Sequence, residues 1–332
     1  MIRVAMLSYW HVHAWDYTRQ AQSHPDVTIG AVWDELPERG RAAAEQLGVP
    51  FYESLDELLA LSEIDAVIVD APTSMHRDVM IAAAHSGKHI FTEKVLAPTL
   101  AEADQILAAV EQAQVVLTVS LPRLAEGYTQ AISALIADGA CGDLTLVRVR
   151  LAHNGALRTE RNPDGWLPAH FYDPDQCRGG AMIDLGCHPM YLARHFLGLP
   201  ETVNAHYGYV TGRAVEDNAV VTLGYTSGAL AVVEAGFVTP ASPFTIEVHG
   251  TRTSLIYTAP PPRLIVRSTD GWIEQAIPES QPLPFVQWVE HIQRGTRNVA
   301  NIEAARDLTR LMEAANRSAA ERRQVRVDSL QS

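Results

Sequence analysis

The feature that most constrains this chain is a regular alternation, over its first 120 residues, of short apolar runs with helix-patterned segments. Ile2–Leu7, Val27–Trp33, 64–69, 89–91 and 115–119 read as strands, and Pro37–Leu47, 75–86 and 100–112 as the helices among them. Gly48 and Gly87 stand as helix stops, and Ser74 is the expected N-cap of the second helix. Strands that are apolar throughout and separated by helices predict a parallel, doubly wound sheet. That architecture places ligands at the carboxyl ends of its strands.

After Leu121 the texture changes. Residues 128–138 read as a helix and 144–152 as a strand of alternating polarity, followed by a long polar loop carrying Trp166, His170, Phe171 and Tyr172. Alternating strands are expected at 202–210, 217–225, 230–237, Phe244–Gly250, 253–258 and 264–267, with turns at Thr226-Ser227-Gly228 and Thr269-Asp270-Gly271. Helices at Pro284–Arg294 and 301–322 follow. The expected fold is thus α/β: a Rossmann-type domain at 1–121 and, at 122–332, an α+β domain with a large open antiparallel sheet. At 332 residues the chain is too long for one ordinary core, which agrees with two domains.

Charge and composition exclude whole classes of function. A net charge of −13 disfavours nucleic acid and anionic membranes as partners. No apolar run reaches the roughly 20 residues of a membrane span. The N-terminus opens on a strand rather than a signal-peptide pattern, so a cytoplasmic protein is expected. Three widely spaced cysteines, Cys141, Cys177 and Cys187, fit reduced thiols, and no Cys-x-x-Cys pair offers a zinc site.

Two segments carry the chemistry. Lys88-His89-Ile90-Phe91-Thr92-Glu93-Lys94 reads as a strand ending in a Glu-Lys pair, and residues 179–188 as a Gly-rich turn entering a helix. There Asp184 and His188 stand at i and i+4 and share a face. A lysine, a carboxylate and a histidine form a proton-transfer set suited to redox chemistry at an alcohol or carbonyl. The bland readings are a solvated lysine, a capping acid and a core histidine.

The loop after the first strand is Ser8-Tyr9-Trp10-His11-Val12-His13. Dinucleotide folds place G-x-G-x-x-G here so that backbone N–H groups reach a pyrophosphate. This loop has no glycine, which leaves two readings, a remodelled phosphate loop or a lost cofactor site. Asp34, about twenty residues on, is where an acid would bind ribose hydroxyls. Glu35 after it would repel a 2′-phosphate, so NAD is favoured over NADP. Pro72, Thr73 and His76 follow a strand at the same carboxyl edge, with His76 either facing a nicotinamide or capping its helix. Trp166, His170 and Tyr172 fit an aromatic-walled polar pocket for a sugar or cyclic polyol.

Taken together in this order, 72–76, 87–94, 179–188, Val215-Glu216-Asp217-Asn218-Ala219 and Arg317-Ser318-Ala319 resemble the glucose–fructose oxidoreductase / inositol dehydrogenase (Gfo/Idh/MocA) family over almost the whole chain. The resemblance implies NAD(P)-dependent oxidation of a hydroxyl on a sugar, inositol or related polyol. It implies Lys94, Asp184 and His188 as the catalytic group, Glu93 and Arg123 on the cofactor side, and Tyr128 near the substrate. It also implies a homodimer or homotetramer packed through the antiparallel sheet. Three positions depart from the family pattern: the glycine-free loop, Tyr191 where Asp is frequent, and Val95 where proline is usual after Glu-Lys. A cis bond before Val95 would cost about 3 kcal/mol, so trans is expected.

Two alternatives remain open at this level. One is a catalytically silent ligand-binding or scaffold protein of the same fold, favoured by the missing glycines. The other is a metal-dependent hydrolase, because His11-x-His13 after a first strand is also similar to the start of barrel amidohydrolases. That reading needs eight βα units, which the second half does not provide, so no metal site is expected.

Overall fold

The computed structural model describes residues 1–330 and divides into two compact units. In the first, β1 (Ile2–Leu7), β2 (Val27–Trp33), β3 (Phe51–Tyr52), β4 (Ala66–Val69), β5 (His89–Thr92) and β6 (Leu117–Val119) form one sheet. The order is β3-β2-β1-β4-β5-β6 and every pairing is parallel. The order reverses between β1 and β4, which opens a crevice at the carboxyl ends of these strands. The expected elements are present with small changes of boundary. Two-residue β3 was not read from the sequence, being too short to show a period. The helix expected at 75–86 runs His76–His85, and Ser74 lies in a 3₁₀ turn, Thr73–Met75, ahead of it instead of capping it. Gly48 and Gly87 end their helices with positive φ, 67° and 72°.

The boundary expected at 121/122 assigned everything beyond it to the second domain. Residues Pro282–Arg306 belong instead to the first unit, alongside Met1–Ser120. The reason is hydrophobic. The helix Pro284–Arg294 buries Phe285, Trp288 and Val289 in the core of the parallel sheet, with the Phe285 and Trp288 rings 5.5 and 5.6 Å from that of Phe91.

The second unit, Leu121–Gln281 with the described residues from Asp307 onward, carries a nine-stranded sheet. Its strands are β7 (Leu144–Ala152), β8 (Thr202–Gly208), β9 (Asn218–Gly224), β10 (Leu230–Gly236), β11 (Phe244–Gly250), β12 (Ser254–Ala259), β13 (Arg263–Ser268), β14 (Gly271–Gln275) and β15 (Val325–Arg326). They lie in the order β14-β13-β12-β11-β7-β10-β9-β8-β15. All neighbours are antiparallel except β7 and β10, which run parallel. The sheet is therefore mixed where an antiparallel one was expected. Between β7 and β10 the chain is long, passing through the helix Cys187–Leu197 and then β8 and β9, which leaves room for the two strands to run parallel. Val147, Val149, Val221, Val233, Ile246 and Val248 point to the buried face, while Arg148 and Arg150 point away from it.

Among the described residues no helix is long and apolar enough to cross a membrane. All three cysteines are free thiols and buried.

Candidate active site

In the first unit, the glycine-free loop turns its backbone inward. Ser8 takes the left-handed conformation, φ 77°, where a dinucleotide loop would have glycine. The Ser8 N–H donates to the Trp33 carbonyl at 2.7 Å. The Tyr9 N–H donates to Asp34 Oδ2 at 2.8 Å, and the Trp10 N–H to Ser8 Oγ at 3.0 Å. The His11 N–H reaches the Asp70 carbonyl at 3.1 Å, and the His13 N–H reaches His11 Nδ1 at 3.2 Å. Tyr9, Trp10 and His11 are buried, His13 is half-buried and Val12 exposed.

Asp34 fixes this loop. Its carboxylate accepts from Tyr9 N–H, from Leu36 N–H at 2.8 Å, and from Arg39 Nε and Nη2 at 2.9 and 2.7 Å. Four donors saturate its acceptor capacity, so a ribose hydroxyl must displace one of them. Arg39 also lies 2.5 Å from Glu35. Nothing in the sequence flagged Arg39, whose role depends on the turn that folds it back onto Asp34.

At the end of β5, Glu93 and Lys94 are both buried, with Lys94 Nζ 3.6 Å from Glu93 Oε1. Tyr17 donates its hydroxyl proton to Glu93 and also lies 2.8 Å from Ser120 Oγ. His13 Nδ1 stands 3.3 Å from the same carboxylate. Burial would raise the Glu93 carboxyl, but His11, His13 and Lys94 outweigh it and hold the acid well below the usual carboxylate range. Asp70, at the end of β4, is wholly buried with neither carboxylate oxygen hydrogen-bonded. Burial, then repulsion from Glu93, pushes its pKa well up. Tyr17, Ser120 and Asp70 were missed because only the fold brings them to the Glu-Lys pair.

Pro72 and Thr73 sit at the same carboxyl edge, both buried. His76 is buried too, but its ring is committed to the backbone. Nδ1 lies 2.9 Å from the Val95 carbonyl and Nε2 lies 3.1 Å from that of Ala71. Burial lowers its pKa. The ring ties the end of β4 to the segment after β5. The Lys94–Val95 peptide is cis, against the expectation of trans. The intrinsic preference of an isolated bond gives way here to the burial of Val95, Leu96 and Ala97 and to the Val95 carbonyl held on His76.

In the second unit, Asp184 lies in a π-helical turn, Met182–Gly186, that runs directly into the helix Cys187–Leu197 carrying His188. The sequence pointed to an ordinary helix. Pro189 has no N–H to give the Leu185 carbonyl and its ring crowds that carbonyl, so the turn widens. The buried His188 ring bonds through Nδ1 to the Tyr191 hydroxyl at 2.9 Å. That hydroxyl accepts from the Arg123 N–H at 3.1 Å, and Arg123 Nη1 lies 3.3 Å from the Tyr128 hydroxyl. The Arg123 guanidinium also sits over the Phe244 ring at 4.3 Å. His188, Tyr191, Arg123 and Tyr128 thus form one polar chain, and burial pushes the Tyr128 phenol up to about 12. Glu216 holds the turn before Asp184, accepting from the Gly180 and Met182 N–H groups at 2.9 Å each through Oε1. A Cβ at Gly180 would stand 2.0 Å from the Glu216 carbonyl oxygen, which accounts for this glycine.

The aromatic loop of the second unit is ordered by polar contacts. Trp166 donates Nε1–H to Asn154 Oδ1 at 3.1 Å and is half exposed. The Tyr172 hydroxyl reaches the Gly155 carbonyl at 3.3 Å, and Arg213 lies 3.6 Å above the Tyr172 ring. His153, which stacks on Phe237 at 5.0 Å, also contacts Trp166. His170 pairs with Phe171 beside this group.

Toward a nicotinamide dinucleotide, the first unit fits in strand order, in its switch-point crevice, and in the buried ammonium of Lys94 at a strand end. The diphosphate is the exception, because the Tyr9, Trp10, His11 and His13 N–H groups that would meet it are engaged within the protein.

Comparison with known proteins agrees with this geometry. Residues 6–121 match the model of an oxidoreductase family with an NAD-binding Rossmann fold, and residues 129–256 match the GFO/IDH/MocA C-terminal domain. The chain is 34% identical to D-xylose 1-dehydrogenase (NADP(+)) 2 of Haloferax volcanii, over 68% of this chain and 66% of that protein. That match spans just under two-thirds of the relative's length. Identity to the inositol 2-dehydrogenase of Rhizobium meliloti is 25%, over 94% of this chain and 95% of that one. The crystal structure of an aldose-aldose oxidoreductase from Caulobacter crescentus, complexed with glycerol, superposes with a TM-score of 0.81 at 22% identity. It covers 98% of this chain and 99% of that one, a likeness of fold. Because the first unit is an open six-stranded sheet, the eight-unit barrel required by the amidohydrolase alternative is absent from the described residues.

Proposed function

Because the chain belongs to the Gfo/Idh/MocA family of NAD-binding Rossmann-fold oxidoreductases, we propose that it exchanges hydride with a hydroxyl-bearing carbon of a sugar, inositol or related polyol. The observation that carries this reading is the Lys94 side chain, 2% exposed at the end of a central strand. Lysine is almost never buried unless paired, and here the buried pair of Lys94 with Glu93 stands at a strand end where the fold presents ligands. A nicotinamide dinucleotide supplies the hydride acceptor or donor when bound, with residues 8–13, Asp34, Pro72, Thr73, Glu93 and Arg123 on its side.

Each remaining role belongs to a side chain of this protein. His188 takes the proton of the substrate hydroxyl in the oxidative direction and returns it in the reductive one. Tyr191 orients that imidazole through the 2.9 Å bond to Nδ1. The Lys94 ammonium donates to the substrate oxygen as it becomes negative, which helps the transition state more than the ground state. Asp184 orients the hydroxyls of the substrate, with Tyr128, Trp166, His170 and Tyr172 lining its pocket. NAD is the preferred cofactor, since a 2′-phosphate would meet two carboxylates, Asp34 and Glu35, against the single guanidinium of Arg39. The protein works in the cytoplasm, consistent with three free thiols. It assembles as a homodimer or homotetramer through the outer face of the nine-stranded sheet. The deciding experiment is a screen of sugars, inositols and polyols for NADH formation by the purified full chain. Activity on one of them that Lys94→Met and His188→Ala both abolish supports the assignment, and unaffected activity in both variants refutes it.

A further inference from the structure

We propose that His11, His13 and Glu93 form a binding site for one divalent transition-metal ion of the zinc type. The inference goes beyond the hydride-transfer reading and rests on no part of it. A ring nitrogen from each histidine and a carboxylate oxygen of Glu93 all lie within 4.8 Å of one another. Two imidazoles and one carboxylate are the donor set that first-row ions such as zinc take in proteins. Three protein ligands leave a coordination position for water or for an oxygen of a ligand. The sequence was read as metal-free because no later barrel strand could supply a third ligand to the histidine pair. The fold supplies it from a different place, the end of β5, two strands from β1 in the sheet.

The surroundings support a cation on two independent grounds. Tyr17 donates to Glu93 and is itself held near Ser120, an outer layer that fixes the orientation of a ligating carboxylate. Asp70, just past the end of β4, the strand that separates β1 from β5, is fully buried with neither oxygen hydrogen-bonded. Two buried carboxyl groups, Glu93 and Asp70, thus share this edge with the Lys94 ammonium, and the oxygens of Asp70 remain without a hydrogen-bond partner there.

The test uses the full chain, treated with a chelator and then titrated with Zn²⁺ by calorimetry, with Co²⁺ as a spectroscopic probe. One equivalent is expected to bind with a dissociation constant of about 1 µM or lower. Cobalt should give visible ligand-field bands of a low-coordinate N/O site. His13→Ala, at a side chain 40% exposed, removes a ligand without opening the core. Glu93→Gln keeps the shape of its side chain. Each should weaken Zn²⁺ by about 100-fold and abolish the cobalt bands, with the circular dichroism spectrum unchanged. Failure of the wild-type chain to bind an equivalent, or equal affinity in the wild type and in both variants, overturns the proposal.

Discussion

At Lys94 the ammonium is buried and stands 3.6 Å from Glu93, so replacing it tests chemistry and packing together. Lys94→Met should lower kcat by about 100- to 1000-fold, the scale of one lost oxyanion donor, while NAD affinity by calorimetry stays near that of the wild type. His188→Ala should cost about 10²–10⁴-fold and flatten the pH–rate profile near neutrality. The double variant should be little worse than the poorer single one, because the proposed roles assign both groups to one substrate oxygen. Multiplying losses would show that they act in separate steps. Asp34, Glu35 and Arg39 carry a second prediction at this scale. The protein should bind NADH more tightly than NADPH, and Glu35→Gln should narrow the gap, as read by titration with both. A wild-type preference for NADPH would mean that Arg39 releases its two carboxylates to grip a 2′-phosphate.

Among the elements, the π turn Met182–Gly186 depends on one buried acid outside it. Glu216 accepts both the Gly180 and the Met182 N–H, so Glu216→Ala leaves two buried donors unpaired and should cost about 2–4 kcal/mol in denaturant melts. Glu216→Gln retains an oxygen in the accepting position and should fold normally. The two differ in pH dependence. Burial raises the Glu216 carboxyl above its ordinary 4.5, so the folded state keeps a proton that the unfolded state loses. Wild-type stability therefore falls, relative to Glu216→Gln, as pH rises from about 4.5 through the folded value, and levels off above it. Parallel stability curves for the two proteins would show that Glu216 titrates normally. The same Glu216→Ala variant should also lower activity through the displaced helix start, a loss that Gln rescues.

For the whole molecule, the return of Pro282–Arg306 to the first unit makes the cofactor-side fold depend on a segment that begins 162 residues further along the chain than Ser120. Trp288 is fully buried there against Phe91 and Phe285. Trp288→Ala should destabilise the protein by about 3–5 kcal/mol and lower its melting temperature, although it lies in no proposed site. A variant as stable as the wild type would mean that this helix is an accessory to a sheet that folds without it. The outer face of the mixed sheet carries Arg148, Arg150, Glu234 and Glu247 as a ladder of ion pairs, with Arg150 Nη1 2.8 Å from Glu234. Light scattering should report a dimer or tetramer, and charge reversal at Arg150 should shift it toward monomer. A monomeric wild-type protein would remove the sheet-packed assembly.

The parallel sheet, the helices around it and most strands of the second unit were legible in the sequence, because they rest on local periodicity: apolar runs for strands buried on both faces, and alternation for strands buried on one. The Glu93-Lys94 pair and the Asp184/His188 spacing were legible for the same reason, each being a short pattern at an element end. What the tertiary structure alone decided depends on contacts between residues distant in sequence. The parallel β7–β10 pairing, the cis Lys94–Val95 bond and the transfer of residues 282–306 to the first unit are of this kind. So is the inward turn of the loop at 8–13, whose N–H groups find Asp34 and Asp70 only once β1, β2 and β4 lie side by side. Periodicity records which face of an element is buried. It carries no record of which polar group waits on the neighbouring strand, and here that group decides what the loop is able to bind.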